Sequence, residues 1–334
     1  MTDFDQEQFN KTDLQQKPHP ARIAMMVALA GICGLTSFLP IIGWVASLIY
    51  AIPLAIVTYR YGLRWGIIAL LVVTVLLSLF SNPLSAGLLS LQNGVMGLFF
   101  GQSFRLKMGA LRILIRGIVL AVALSFATLL ISALMAGFTP LLMYETYVTA
   151  IEQMLDTLFT EKTYQGMPAA EYKAAFLELF SRILPSLLVI YAMLIAALQY
   201  LFIVLIMRRL GHQVPKLPAF ANWHLNWQLV WGFIIAVILN AVGNLNEWSL
   251  LSVITANIMY VYYPLLFICG LAFFYWLSKQ LKSLALMVII VIAAIMFFNV
   301  FVYVLLIVAI VDPIFNLREK FYKLFNREKD GGER

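Results

Sequence analysis

Residues 111–138 read LRILIRGIVLAVALSFATLLISALMAGF, and this stretch decides the fold. Its only charges, Arg112 and Arg116, stand at its beginning. The remainder is apolar around the whole circumference of a helix, whereas a helix on a water-soluble core is apolar along one stripe. About 20 such residues cross the roughly 30 Å of hydrocarbon in a bilayer. Lipid is therefore the solvent for this segment.

Other runs of the same kind lie on both sides: Ile23 to Leu39, Ile41 to Tyr59, Trp65 to Phe80, Leu84 to Phe104, Ile183 to Met207, Leu229 to Val242, Trp248 to Leu277 and Leu284 to Val311. The shorter ones, Trp65 to Phe80 and Leu229 to Val242, are expected to stand nearly upright or to be re-entrant. The fold class is all-α, a polytopic transmembrane helical bundle of about eight to ten spans. Composition agrees: 63% of the 334 residues are hydrophobic and 12% charged, against about 45 to 50% and 25% in soluble domains.

The net charge of +7 comes from 23 Lys and Arg against 16 Asp and Glu. The basic residues form no continuous stripe, which argues against nucleic acid as a partner. They fall on alternate connections instead: Lys17 and Arg22; Arg60 and Arg64; Arg105, Lys107, Arg112 and Arg116; Arg208, Arg209 and Lys216; Lys279 and Lys282. The connections near Pro40, Asn82 and Asn244 carry none. Positive charges flanking spans stay on the cytoplasmic side. The chain is accordingly expected in a bacterial inner membrane with both termini cytoplasmic. The N-terminal residues include Asp3, Asp5, Glu7 and Asp13 before any apolar run, so an uncleaved tail is expected there.

Three regions follow: a cytoplasmic tail over 1–22, a transmembrane domain over 23–311, and a basic amphipathic tail over 312–334. Within the domain, 139–182 is expected to be an extracytoplasmic insert. In it Val148, Ile151, Leu155, Leu158 and Phe159 recur at helical spacing, and Gly166 and Pro168 should end that helix. Nine spans would export the C-terminus, but Arg318, Lys320, Lys323, Arg327 and Lys329 argue that it stays inside. Residues 284–311, with Asn299 near their middle, are therefore expected to form a tight helical hairpin or re-entrant pair rather than one straight helix. Beyond Pro313, the apolar face of Ile314, Leu317, Phe321, Leu324 and Phe325 points to an interfacial helix on anionic lipid.

The chemistry-bearing residues are few. Cys33 and Cys269 lie far apart in apolar runs and read as core thiols, so neither a disulfide nor a metal site is expected. The three histidines, His19, His212 and His224, fall in loops or the tail, and no acidic residue falls inside a span. No phosphate-binding loop or nucleophile motif is present, so no enzyme activity and no cofactor are expected. Uncharged polar residues inside spans carry more information, because an amide in hydrocarbon turns toward other helices or a cavity. Gln92, Asn93, Gln199, Asn240 and Asn257 are of this kind. Together with Tyr191, Asn244, Glu247, Trp248 and Tyr260 they are candidates to line a pocket opening outward for a small uncharged or zwitterionic ligand. The competing reading is that the amides only hold helices together.

Arg112 and Arg116, one turn apart, either clamp an anionic group or extend to lipid phosphates. Small residues four apart at Ala24 and Ala28, Ala30 and Gly34, and Gly97 and Gly101 permit close helix approach, internally or with another subunit.

Four segments carry a family likeness: IPLAIVTYRYGLRWG (52–66), NGVMGLFFGQSFRLK (93–107), LPAFANWHLNWQLVWG (217–232) and IVDPIFNLREKF (310–321). In their order the chain resembles the YybS-like family of uncharacterised bacterial multi-pass membrane proteins. Its N-terminal part is also similar to the S components of energy-coupling-factor transporters, which capture vitamins and dock on an ATP-driven module. That resemblance implies that Ala24 and Ala28 face a membrane coupling subunit. The chain departs from it in its length, its acidic insert and its lack of a vitamin-specific signature, so no substrate carries over. The sequence thus leads to a small-molecule binding or transport component without chemistry of its own. The alternative is a membrane scaffold that recruits cytoplasmic partner proteins through its basic loops and tail.

Overall fold

In lipid the backbone finds no water to bond, so each segment closes its own hydrogen bonds as a helix. The computed structural model describes residues 18–137, 140–158, 163–164, 167–280, 288, 292 and 296–323. It is an all-α polytopic helical protein: α1 (Pro20–Thr36), α2 (Gly43–Tyr61), α3 (Leu63–Phe80), α4 (Pro83–Arg105), α5 (Ala110–Met135), α6 (Pro140–Leu158), α7 (Ala169–Arg209), α8 (Trp227–Leu245), α9 (Ser249–Gln280) and α10 (Phe298–Phe315). Among the described residues eight helices are long and apolar enough to cross a membrane, and α1, with 17 residues, is shorter. A two-residue antiparallel pair, Thr163–Tyr164 with Met167–Pro168, separates α6 from α7.

The chain divides into two units, Met1–Thr149 with Tyr191–Leu217, and Ala150–Ile190 with Pro218–Arg334. In the first, α2 is the central helix, with every residue from Tyr50 to Tyr59 buried. Its neighbours bury single stripes at helical spacing: Ile23, Val27, Ala30 and Gly34 on α1, and Gly66, Ala69, Val73 and Leu77 on α3. Their other faces expose Met25, Leu29, Leu71, Val75 and Leu79, as a lipid-facing surface requires. Helix α4 lies against α2 at backbone distance. A Cβ placed on Gly97 would stand 2.5 Å from the Ala51 carbonyl oxygen, and one on Gly101 would overlap that of Ala55. The Gly97 and Gly101 pair therefore serves packing within the chain. In the second unit, Leu225, Val230, Phe233, Leu266 and Ala309 form the core between α8, α9 and α10.

Several expectations change. The runs Trp65 to Phe80 and Leu229 to Val242 lie in helices of 18 and 19 residues, because Leu63, Arg64, Trp227, Gln228 and Asn244 extend them with polar or interfacial ends. Both reach spanning length. The acidic segment holds the expected helix, which ends at Leu158, but the following span does not begin at Ile183. Helix α7 starts at Ala169, directly after Pro168, and runs 41 residues with Pro185 inside it. Ala169, Ala170 and Glu171 favour a helix start, and nothing after them breaks it. Of the expected hairpin, the described C-terminal half is one helix, Phe298–Phe315, and most of residues 284–295 lie outside the described residues. Residues 1–17, Phe159 and the tail from Leu324 also lie outside them.

Candidate functional site

A set of polar residues of the first unit converges on one segment of α4. Ser90–Gly94 is a π-helical turn, with Val95 N–H reaching back to the Ser90 carbonyl. A π-turn inserts one residue into an α-helix and fans out the side chains around it, and such turns recur at functional sites. Here Ser90, Gln92 and Asn93 each address a different helix. The Ser90 and Tyr50 hydroxyls are 2.9 Å apart, and Thr74 Oγ1 lies 2.7 Å from Ser90 Oγ, which links α4 to α2 and α3. Gln92 Nε2 donates to Ser125 Oγ at 3.0 Å and its Oε1 accepts from Thr128 Oγ1 at 3.3 Å, both on α5. Asn93 Oδ1 accepts from Gln199 Nε2 on α7 at 2.7 Å.

Gln199 is fully buried, and its Oε1 has no hydrogen-bond partner among the described residues. No charged side chain belongs to this network. Arg105 and Arg209 stand 12 and 10 residues along their helices from Asn93 and Gln199, or about 15 to 18 Å at 1.5 Å per residue. The network thus sits at mid-span, held by neutral groups. Sequence reading found Gln92, Asn93 and Gln199 as in-span amides. It missed Tyr50, Thr74, Ser90, Ser125 and Thr128, whose hydroxyls are common in helices and carry no pattern. Tyr191, also in this unit, is 57% exposed.

The other candidates lie in the second unit. Asn240 Nδ2 on α8 donates to the Ser252 carbonyl at 2.9 Å and to Thr255 Oγ1 at 3.1 Å on α9, while its Oδ1 accepts from Asn244 at 3.2 Å. Asn257 Nδ2 donates to the Arg182 carbonyl and its Oδ1 accepts from Ser186 N–H, each at 2.9 Å. These amides are engaged in joining helices. Glu247, with φ of 56°, makes the exposed turn after α8; Trp248 is 59% exposed, and Tyr260 sets its ring edge-on to Tyr263 at 5.7 Å.

Arg318 of the C-terminal segment turns inward, although its neighbours suggest a lipid-facing side. Its Nε donates to Asp312 Oδ2 at 2.8 Å, and its two Nη groups donate to the Ala221 and Trp223 carbonyls. The left-handed backbone of Asn316, φ 50°, makes that return possible. On the first unit's surface, Ala24 and Ala28 are exposed on α1, and Arg112 and Arg116 on α5. Among the described residues no three His, Cys, Asp or Glu side chains gather as a metal site would require.

A family model described as Predicted membrane protein (DUF2232) matches residues 26–313. The chain belongs to this family. Neither a curated protein nor a solved structure matches it. The DUF2232 match spans the whole polar network from Tyr50 to Gln199 and reaches Asp312, but ends before Arg318. This DUF2232 protein is thus a multi-pass membrane protein with one network of buried polar groups gathered at a π-turn.

Proposed function

We propose that this DUF2232 chain is a membrane-embedded binding or transport component that holds a small uncharged molecule at the Ser90–Gly94 turn. The observation that carries this reading is the orphaned acceptor of Gln199, fully buried beside Asn93. An unpaired polar atom in an apolar interior costs about 1 to 3 kcal/mol, and a ligand N–H or O–H would remove that cost. The ligand is neutral because a charge would enter mid-span with no counter-charge on the network, which is far more costly than the missing hydrogen bond.

Transport would need energy from another subunit. The exposure of Ala24 and Ala28 beside Met25 and Leu29 offers a small-residue face to such a subunit, as in S components. On the same reading the basic ends face the cytoplasm of a bacterial inner membrane. A scaffold role is the second reading, favoured by the exposure of Arg112 and Arg116 on α5.

The test is mass spectrometry of the full chain extracted mildly from its native membrane, alongside Gln199→Leu and Asn93→Leu. A stoichiometric neutral metabolite in the native chain, absent from both variants while they remain monodisperse, is expected. A metabolite retained by both variants, or none in the native chain, would sink the assignment.

A further inference from the structure

Two side-chain amides meet inside the first unit through a single hydrogen bond. Asn93 Oδ1 accepts from Gln199 Nε2 at 2.7 Å. Gln199 Oε1 has no partner, and Asn93 makes no further side-chain hydrogen bond among the described residues. Two primary amides laid edge to edge can close a ring of two N–H···O bonds, because each carries a donor and an acceptor side by side. Here the ring is open: the second donor, Asn93 Nδ2, and the second acceptor, Gln199 Oε1, do not meet. Each is two covalent bonds from an atom of the 2.7 Å contact, so one small group spans them. Turning both amides end for end exchanges donor and acceptor at each residue but still leaves one of each on the free edge.

The surroundings narrow what can fill that edge. Gln199 is 0% and Asn93 7% exposed. One and two turns along the same helix faces stand Met96 and Phe100 on α4 and Ala192, Ala196 and Ile203 on α7, all of them buried core. Such walls reject a charge. A carboxylate also brings no donor for Gln199 Oε1, an ammonium brings no acceptor for Asn93 Nδ2, and an ether or ketone again lacks the donor. A hydroxyl carries both functions on one atom, whereas the free pair is split over two residues. A lactam, a urea or a primary carboxamide carries N–H and C=O on neighbouring atoms and presents them on one side. We infer that Asn93 and Gln199 read a cis-amide edge of this kind on a neutral ligand, whose N–H donates to Gln199 Oε1 and whose C=O accepts from Asn93 Nδ2. This recognition rests on the binding reading of the Ser90–Gly94 turn and names the chemistry of the ligand held there.

The experiment titrates the full chain in mild detergent with uracil, caprolactam and ethyleneurea, and with their fully N-methylated forms, which keep the carbonyl and lose the N–H. The thermal midpoint is read throughout. At least one N–H probe is expected to raise the midpoint, with an apparent Kd about tenfold tighter than that of its methylated form, as one hydrogen bond to a buried acceptor predicts. No shift with any of the probes, or equal shifts with methylated and unmethylated forms, would overturn the cis-amide edge. Both outcomes are read on the native chain and so stand even where a variant fails to fold. In Gln199→Leu and Asn93→Leu the preference for the N–H form should vanish; a preference kept by both would place it elsewhere in the protein and overturn the assignment. A neutral metabolite without a cis-amide edge that co-purifies with the native chain and is lost from these variants would overturn the edge while leaving the binding reading in place. No metabolite and no probe response would remove both.

Discussion

The side-chain amide of Asn257 on α9 accepts the backbone N–H of Ser186 on α7, one residue beyond Pro185, at 2.9 Å. Its nitrogen donates to the Arg182 carbonyl, also at 2.9 Å. Arg182 and Ser186 are the two ends of one α-helical i to i+4 rung, so a side chain bridges backbone groups beside a residue that has no N–H to give. Asn257→Leu should therefore lower stability by roughly 1 to 3 kcal/mol. Thermal unfolding in detergent would read this, and a midpoint equal to that of the native chain would show that the bridge contributes nothing.

Asp312 and Arg318 should behave as a buried pair. The side chains are 7% and 17% exposed, and Arg318 also holds the carbonyls of Ala221 and Trp223. Asp312→Asn leaves the guanidinium without its counter-charge, at a cost of roughly 3 to 5 kcal/mol. Limited proteolysis around residues 218–224 should accelerate in that variant; an unchanged cleavage rate would contradict the latch.

The pair of Glu319 and Lys323, one turn apart at 2.6 Å, gives the opposite expectation. Lys323 holds the Glu319 carboxyl below its ordinary range, first by hydrogen bonding and then by charge. A depressed carboxylate contributes above its unfolded pKa and loses that contribution as pH falls through the lower folded value. Both groups are well exposed, so Glu319→Gln should leave the neutral-pH midpoint where it was. A clear drop at neutral pH that vanishes on acidification would show a stronger pair than solvent screening permits.

Gly97 should not accept a side chain. With 2.5 Å from a Cβ there to the Ala51 oxygen, Gly97→Ala forces α2 and α4 apart, at roughly 1 to 3 kcal/mol or more. Gly87, with nothing within 4 Å of its Cβ position, is the matched control. Similar unfolding midpoints for alanine at the two positions would refute the close approach.

The pair of Asn93 and Gln199 should couple. Each single change to Leu strands one partner's amide, whereas the double variant removes both, so the double should cost less than the sum by roughly 1 kcal/mol. Additive losses would mean that the 2.7 Å bond carries no energy.

Much of the membrane architecture was legible because all-round apolar runs leave few alternatives to a spanning helix. The ends were less so. Asn244, Trp227 and Arg64 look like loop residues in a sequence yet finish their helices, since interfacial depth tolerates them. Gln92 and Asn93 were visible as misplaced amides, but adjacent residues on a helix point about 100° apart. They therefore serve separate neighbours, Ser125 and Gln199. Ser90 was invisible because a serine in a span is unremarkable until its partners are known. The Arg318 pair escaped because six residues separate it from Asp312, a spacing that only the left-handed turn at Asn316 brings together.

The sequence separation of 106 between Asn93 and Gln199 also sets an order of assembly. At synthesis rates of about 5 to 20 residues per second, α4 waits some 5 to 20 s in the bilayer before its partner is made. The first unit is thus inserted early and completed late, and a chain stopped before residue 191 would reside in the membrane with its central amide still unmatched.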